Sequence, residues 1–559
     1  MYVNLRCMKI IEVRSRKYLA CGLLLIGVLG VLSSVCAYTA DIPAGEMSFQ
    51  YLWAGKANRL FAICGIVSII IYPKVHLYLQ RFVTWSLILW GCIEVFWGLG
   101  QLLGLLSPNH YLFSITGSFY NPGPYSGYLA MIFPIVLYEF LCVSDVIKNK
   151  RTSVTYYSLC VIISLLICML LIGMSRASWF AVLISCFFVC SIHYSCFNSL
   201  REKWHLYCKR MIVCVICIFI TLSICCLGVY YLKKDSADGR LFIWKITSLA
   251  ISKRPSGYGE DSFFKIYGET QEGYFKSGNY SKKEEFVAGS PQYAFNEYLR
   301  IALEYGIFVL IVCLLVLYYC LSEGLKRKYV GLCGAILSLM AFSLFSYPLS
   351  YPSIVVTAIV LLLTCVSEKS SIVFIVFCLF IGGIGVCWDN EDTYMSDKKW
   401  YRCRKLGKLC GDEFVKAEYD KLYLKLKKSG TFLFEYGKCL SRLGDYDKSN
   451  EILKEAEKYN CDPMILNIIG KNYQKQANYV KAEEYFIRAI YRLPNRIYPY
   501  YLLAKLYAEP AFYSPEKYAN MKKIVLTKRP KVYSIAIQEM RDDLNKNYFQ
   551  YRQSIKEIQ

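Results

Sequence analysis

The sequence predicts an all-α protein: a polytopic helical membrane bundle of about 11–12 spans followed by a helical repeat array. Three observations carry this. Of 559 residues, 55% are hydrophobic and only 19% are charged, and the mean hydropathy is +0.32. That average hides a split. From about Tyr18 to Trp388 one long apolar run follows another, whereas the chain after Trp388 is rich in Lys, Glu and Tyr and has no further apolar run. The tail also repeats itself. Residues 1–390 are therefore expected to form a membrane domain with a large outer loop at about 233–296, and residues 391–559 a repeat domain.

Taken in order, the apolar runs place spans at about 18–38, 57–72, 82–106, 124–143, 156–174, 177–195, 210–232, 299–321, 329–346, 351–366 and 371–388. Arg14, Arg16 and Lys17 precede the first run, which is long and followed by no convincing small-x-small cleavage site, so a retained span is expected. Basic residues collect in alternate loops: Lys74 and Arg81; Lys148, Lys150 and Arg151; Arg201, Lys203, Lys209 and Arg210; Lys326, Arg327 and Lys328. The opposite short loops, 39–56, 107–123 and 347–350, have almost none. The basic side is then cytoplasmic. The N-terminus is expected there, and the large loop and the tail outside.

The net charge of +23 would point to nucleic acid in a soluble protein. Here the positive-inside bias accounts for much of it, and no nucleic-acid partner is expected. Most of the 26 cysteines lie inside apolar runs, where they act as small hydrophobes. No Cys/His spacing marks a metal site, and no metal or other cofactor is expected.

In the tail, EFVKAEYDKLY (413–423), DYDKSNEILKEA (445–456) and NYVKAEEYFIRA (478–489) align. Tyr446 to Tyr479 and Gly437 to Gly470 are both 33 residues. The period resembles tetratricopeptide repeats, helix–turn–helix units that must stack to bury their apolar stripes. Such an array either binds a peptide or protein partner or serves as a rigid spacer or cap.

Four polar stretches face the outer side. GSFYNPGPYSGYLAMIFP (117–134) turns at Asn121 and Pro122 into a span. GMSRASWFAV (173–182) is a tight turn with Arg176. ADGRLFIWKITSLAISKRPSGYGEDSF (237–263) carries Arg240 and Lys245 ahead of a turn at Gly257 and Gly259. PQYAFNEYLRIALEYGI (291–307) holds Asn296, Glu297, Tyr298, Arg300 and Glu304. Arginines facing outward at the membrane rim suit a lipid-linked phosphate or pyrophosphate.

In this order, G-x-F-x-N-P, S-R-A-S, G-R-x-x-x-W with P-x-G-x-G, and N-x-Y-L-x-x-x-x-E-x-G resemble the O-antigen ligase and polymerase superfamily over roughly residues 110–350. The resemblance implies a GT-C-like bundle in a bacterial cytoplasmic membrane. It also implies metal-independent transfer of a glycan from undecaprenyl pyrophosphate on the outer face. Arg176 and Arg240 would hold the pyrophosphate. In the ligases a histidine precedes the motif asparagine, whereas here Phe295 precedes Asn296. Glu297 is then the first choice of base, with Glu260 and Asp261 next. Glu297 equally suits a helix first turn, and Arg300 with Glu304 an i, i+4 pair.

The acceptor is open among a growing polysaccharide, a lipid A core and protein hydroxyls. The missing histidine favours a polymerase, and an outer array able to grip peptide favours protein O-glycosylation. A competing class is a transporter or flippase of lipid-linked sugar, but transporters place ionisable groups deep in their spans, and only Glu94 and Glu139 qualify. A membrane-tethered repeat scaffold would not need the outer arginines.

Overall fold

The structure, a computed structural model, describes residues 2–36, 48–145, 150–194, 234–367 and 369–545. Among these no strand occurs, and helices dominate. The chain divides into two compact units. One comprises Met1–Leu232, Phe295–Tyr298 and Ile311–Lys398; the other comprises Lys233–Ala294, Leu299–Leu310 and Lys399–Gln559.

Eight helical segments among the described residues are long and apolar enough to cross a membrane: Val13–Cys36, Ser48–Ile71, Pro73–Leu102, Pro122–Ser144, Ser153–Ile172, Arg176–His193, Ile307–Lys326 and Ser371–Gly407. Two shorter apolar helices, Val330–Ser343 and Pro352–Ser367, coincide with expected spans. The chain is a multi-pass, all-α membrane protein. The span expected at 210–232 lies outside the described residues, as do Lys148, Arg201, Lys203, Lys209 and Arg210.

In the first unit, Pro122–Ser144 is the central helix. It packs on Lys150–Ile172, Arg176–His193 and Val330–Ser343, and most of it is buried. Ile307–Lys326 is the opposite case, strongly apolar yet mostly exposed, as a lipid-facing helix is. Pro134 lies inside the central helix. Its ring nitrogen cannot donate to Ala130, four residues earlier, and Ser338 Oγ donates to that carbonyl instead at 2.7 Å. A defect within one helix thus becomes a bond between two.

One boundary is corrected. The span expected at 299–321 is two helices, Glu297–Glu304 and Ile307–Lys326. Gly306 takes φ +93° between them, and Ile307 N donates to Pro255 O at 3.0 Å instead of continuing the first helix. Arg300 and Glu304 therefore precede the span and need not enter lipid.

The second unit combines the helices Lys234–Lys253, Phe263–Lys276 and Lys282–Val287 with the tail helices from Asp412–Leu426 to Pro515–Thr527. Local sequence sets several of its helix starts. Ser281 and Glu284 form a reciprocal capping box, and the side chains of Ser429, Asp462 and Asn478 cap their helices. The 33-residue spacing is also spatial. A Cβ on Gly437 would meet Leu453 Cγ at 2.5 Å, and one on Gly470 would meet Phe486 Cε1 at 2.5 Å. Ser449 and Ala482, also 33 apart, are both fully buried. Each first helix thus needs a glycine where the second helix presses on it.

Candidate functional site

The first motif is held from below by one face of the helix Leu79–Leu102. Gln101 Oε1 accepts from Thr116 N and Gly117 N, both at 2.8 Å, and Gln101 Nε2 donates to Gly117 O at 3.0 Å. Seven residues earlier, on the same face, Glu94 Oε2 accepts from Ser118 N at 3.1 Å. Asn109 Nδ2 reaches Gly117 O and Phe119 O at 3.2 and 2.9 Å. A turn lacking regular structure thereby has much of its backbone satisfied. It ends at Asn121, the N-cap of Pro122–Ser144, whose Oδ1 accepts from Gly123 N at 2.7 Å. Pro122 at the first helical position has no N–H to leave open.

The amide nitrogen of the same side chain leads to the short loop 347–351. Asn121 Nδ2 donates to Tyr347 Oη at 2.7 Å. The Tyr347 ring stands edge-on to Phe295, with centroids 5.3 Å apart. Two residues on, Leu349 N donates to Glu297 Oε1 at 2.8 Å, and Glu297 is only 2% exposed. Tyr298 Oη donates to Met340 O at 2.9 Å, and Asn296 directly precedes the Glu297–Glu304 helix. The loop 347–351 therefore brings the first and fourth motifs together. The repeated Tyr-Pro dipeptides at 347–348 and 351–352 were the available sign.

The second motif joins the same unit. Gly173 packs so tightly that a Cβ there would fall 2.2 Å from Ser126 Oγ, which ties the turn before Arg176 to the central helix. Trp179 Nε1 closes this turn onto Leu170 O at 2.8 Å. Half-buried Arg176 is the first residue of its helix. A cation there opposes the helix dipole. Its guanidinium and the helix's N-terminal N–H groups instead offer an anion one positive end.

The third motif lies in the second unit. Arg240 is half-buried on Lys234–Lys253. Lys245, on the same helix, is committed elsewhere: its Nζ lies 2.5 Å from Glu284 Oε1 and 2.8 Å from Tyr274 Oη. Burial opposes ionisation of Glu284, but hydrogen bonds from Lys245, Ser281 and Tyr274 outweigh it and hold the carboxyl down to about 2. Gly257 takes φ +88° and Gly259 φ +106°. Their turn lies on the end of the fourth-motif helix, with Tyr258 N on Leu303 O at 2.9 Å and Gly259 N on Glu304 O at 2.8 Å. Arg300 Nε pairs with Glu304 Oε2 at 3.2 Å. Burial raises the Glu304 carboxyl above its ordinary value, although the Arg300 charge opposes this. Glu260 and Asp261 are exposed.

Backbone strain marks the same places. Five non-glycine residues have positive φ among the described residues, and three of them, Met174, Asp261 and Phe295, fall in the second, third and fourth motifs. For residues with a Cβ this conformation costs about 1–2 kcal/mol, so its concentration here calls for a role. A search of curated proteins returned no match. Residues 161–314, which run from before the second motif through the fourth, match the family profile described as Wzy_C, O-Antigen ligase. On that match and on its bundle of apolar helices, the chain is a membrane protein carrying a domain of the O-antigen ligase and polymerase superfamily.

Proposed function

We propose that this membrane enzyme of the O-antigen ligase and polymerase class is a glycosyltransferase. It acts on the outer face of a bacterial cytoplasmic membrane and takes its glycan from undecaprenyl pyrophosphate. The observation that carries this reading is the buried Glu297 carboxylate, held by Leu349 N in the same cluster as Asn121, Tyr347 and strained Phe295. A carboxylate so placed suits a general base. In the reaction an acceptor hydroxyl oxygen attacks the anomeric carbon, its proton passes to Glu297, and the bond from that carbon to the phosphate oxygen breaks. The electron pair leaves on the pyrophosphate, and Arg176 and Arg240 are the groups proposed to meet that charge. Guanidinium groups fixed where charge grows stabilise the transition state more than the bound substrate.

The acceptor belongs to one of three hydroxyl classes: a growing polysaccharide, a lipid A core or a protein. The tail is proposed to be a tetratricopeptide-like array. The N-terminus is assigned to the cytoplasm, and the 234–294 segment and the tail to the outer side. The test is deletion of the gene followed by complementation with Arg240→Ala. Lipid-linked glycan should accumulate on the outer leaflet, with surface glycan lost. Normal surface glycans and glycoproteins would contradict the proposal, and accumulation on the cytoplasmic leaflet would point to a flippase.

A further inference from the structure

We propose that the partner of the C-terminal array is the chain's own segment 263–294, and that the array acts as a clamp holding the helix that bears Arg240. Within the second unit the two parts meet through an ionic cluster built around buried Arg492. Arg492 is 1% exposed; its Nε and Nη2 reach Glu272 Oε2 at 3.0 and 2.5 Å, and Nη2 also reaches Glu457 Oε1 at 3.1 Å. Arg488 bridges the same two carboxylates, at 2.9 Å from Glu272 Oε1 and 2.5 Å from Glu457 Oε1. Two guanidinium groups thus balance two carboxylates, one from the segment and one from the array. Without Glu272 of the segment, buried Arg492 would lose two of its three ion-pair contacts.

Backbone capture surrounds the cluster. Gln271 Nε2 donates to Arg492 O at 2.5 Å. Asn495 Nδ2 donates to Phe286 O at 3.1 Å and Ala288 O at 2.7 Å. Lys531 Nζ reaches Val287 O at 3.3 Å, and Lys528 pairs with Glu285. At Gly268 the fit is so close that an added Cβ would lie 2.2 Å from Cys461 Cβ. The segment's apolar core, which includes Phe242, Ile246, Tyr267, Phe275 and Val287, is completed by Leu493 of the array. Phe242 and Ile246 belong to the Arg240 helix. A segment of this length is marginal alone, and the array supplies what it lacks. One body must lie on one side of the membrane. The four helices between the two parts, Ile307–Lys326, Val330–Ser343, Pro352–Ser367 and Ser371–Trp388, then make an even number of crossings.

This inference does not rest on the transferase reading, and its test uses no activity. Full-length protein in nanodiscs, prepared from a mixture of isotope-labelled and unlabelled chains, is treated with a zero-length carbodiimide. The expected product is an intramolecular Lys528–Glu285 link; a label-mixed link would assign the surface to a second copy and overturn the proposal. Hydrogen exchange then compares wild type with Arg492→Met and the milder Asn495→Ala. Exchange across 263–288 should quicken about tenfold in the first and a few-fold in the second, while 412–442 stays protected. If Arg492→Met unfolds the array, Asn495→Ala decides. Unchanged protection of 263–288 in every folded variant would overturn the clamp.

Discussion

At Phe295 a bulky residue sits at φ +52° in the position where the resembling ligases carry a histidine. Its ring meets Tyr347 edge-on, and Tyr347 Oη in turn receives the Asn121 amide. Two residues on, the buried Glu297 carboxylate accepts from Leu349 N, and it is the group proposed to take the acceptor proton. Glu297→Gln should lower transfer by about 10²–10⁴-fold, the usual worth of a general base, with little change in donor affinity. Tyr347→Phe keeps the ring contact and removes the hydroxyl, at about 0.5–1.5 kcal/mol. Its thermal stability should fall modestly and its turnover by about tenfold or less, as measured by turnover and melting in the same preparation. Full activity in Glu297→Gln would assign the base elsewhere.

Among the elements, the helices were legible and their joints were not. Hydropathy placed Pro122–Ser144 and Ser371–Trp388 within a few residues, because a bilayer demands uninterrupted apolar length. The break at Gly306 was hidden, because EYLRIALEYGIFVL reads as one amphipathic-to-apolar run and the separation depends on Pro255 O receiving Ile307 N. Likewise nothing local to Leu349 announces that its N–H meets Glu297. The motif residues were legible by their spacing, but their supports, Gln101, Glu94, Asn109 and Tyr347, act through contacts between distant segments. The Gly257 turn gives a direct check at this scale. A Cβ there would fall 2.6 Å from Gly306 N and 2.7 Å from Glu304 O, in a conformation that already disfavours side chains. Gly257→Ala should cost about 2–4 kcal/mol from strain and overpacking together, read as a lower melting temperature of the full-length protein. An unchanged melting temperature would mean that the turn yields easily.

At the scale of the whole molecule, the composition split was plain from the sequence, but the grouping of the 234–294 segment with the tail was not. That grouping depends on Glu272 meeting Arg492 across 220 residues. Asn121, Arg176 and Glu297 belong to the first unit, and Arg240 to the second, on a helix whose core the tail completes. The proposed reaction, transfer of a glycan from a lipid pyrophosphate to a hydroxyl, is tested on the whole chain. The most direct measurement is release of undecaprenyl pyrophosphate by purified full-length protein in proteoliposomes supplied with the lipid-linked glycan and acceptor. Wild type should release it in step with glycan transfer, and Arg176→Ala and Arg240→Ala should each slow release by about 100-fold or more. Wild-type release in both arginine variants, or movement of the donor across the bilayer with its sugar–phosphate bond intact, would contradict the account.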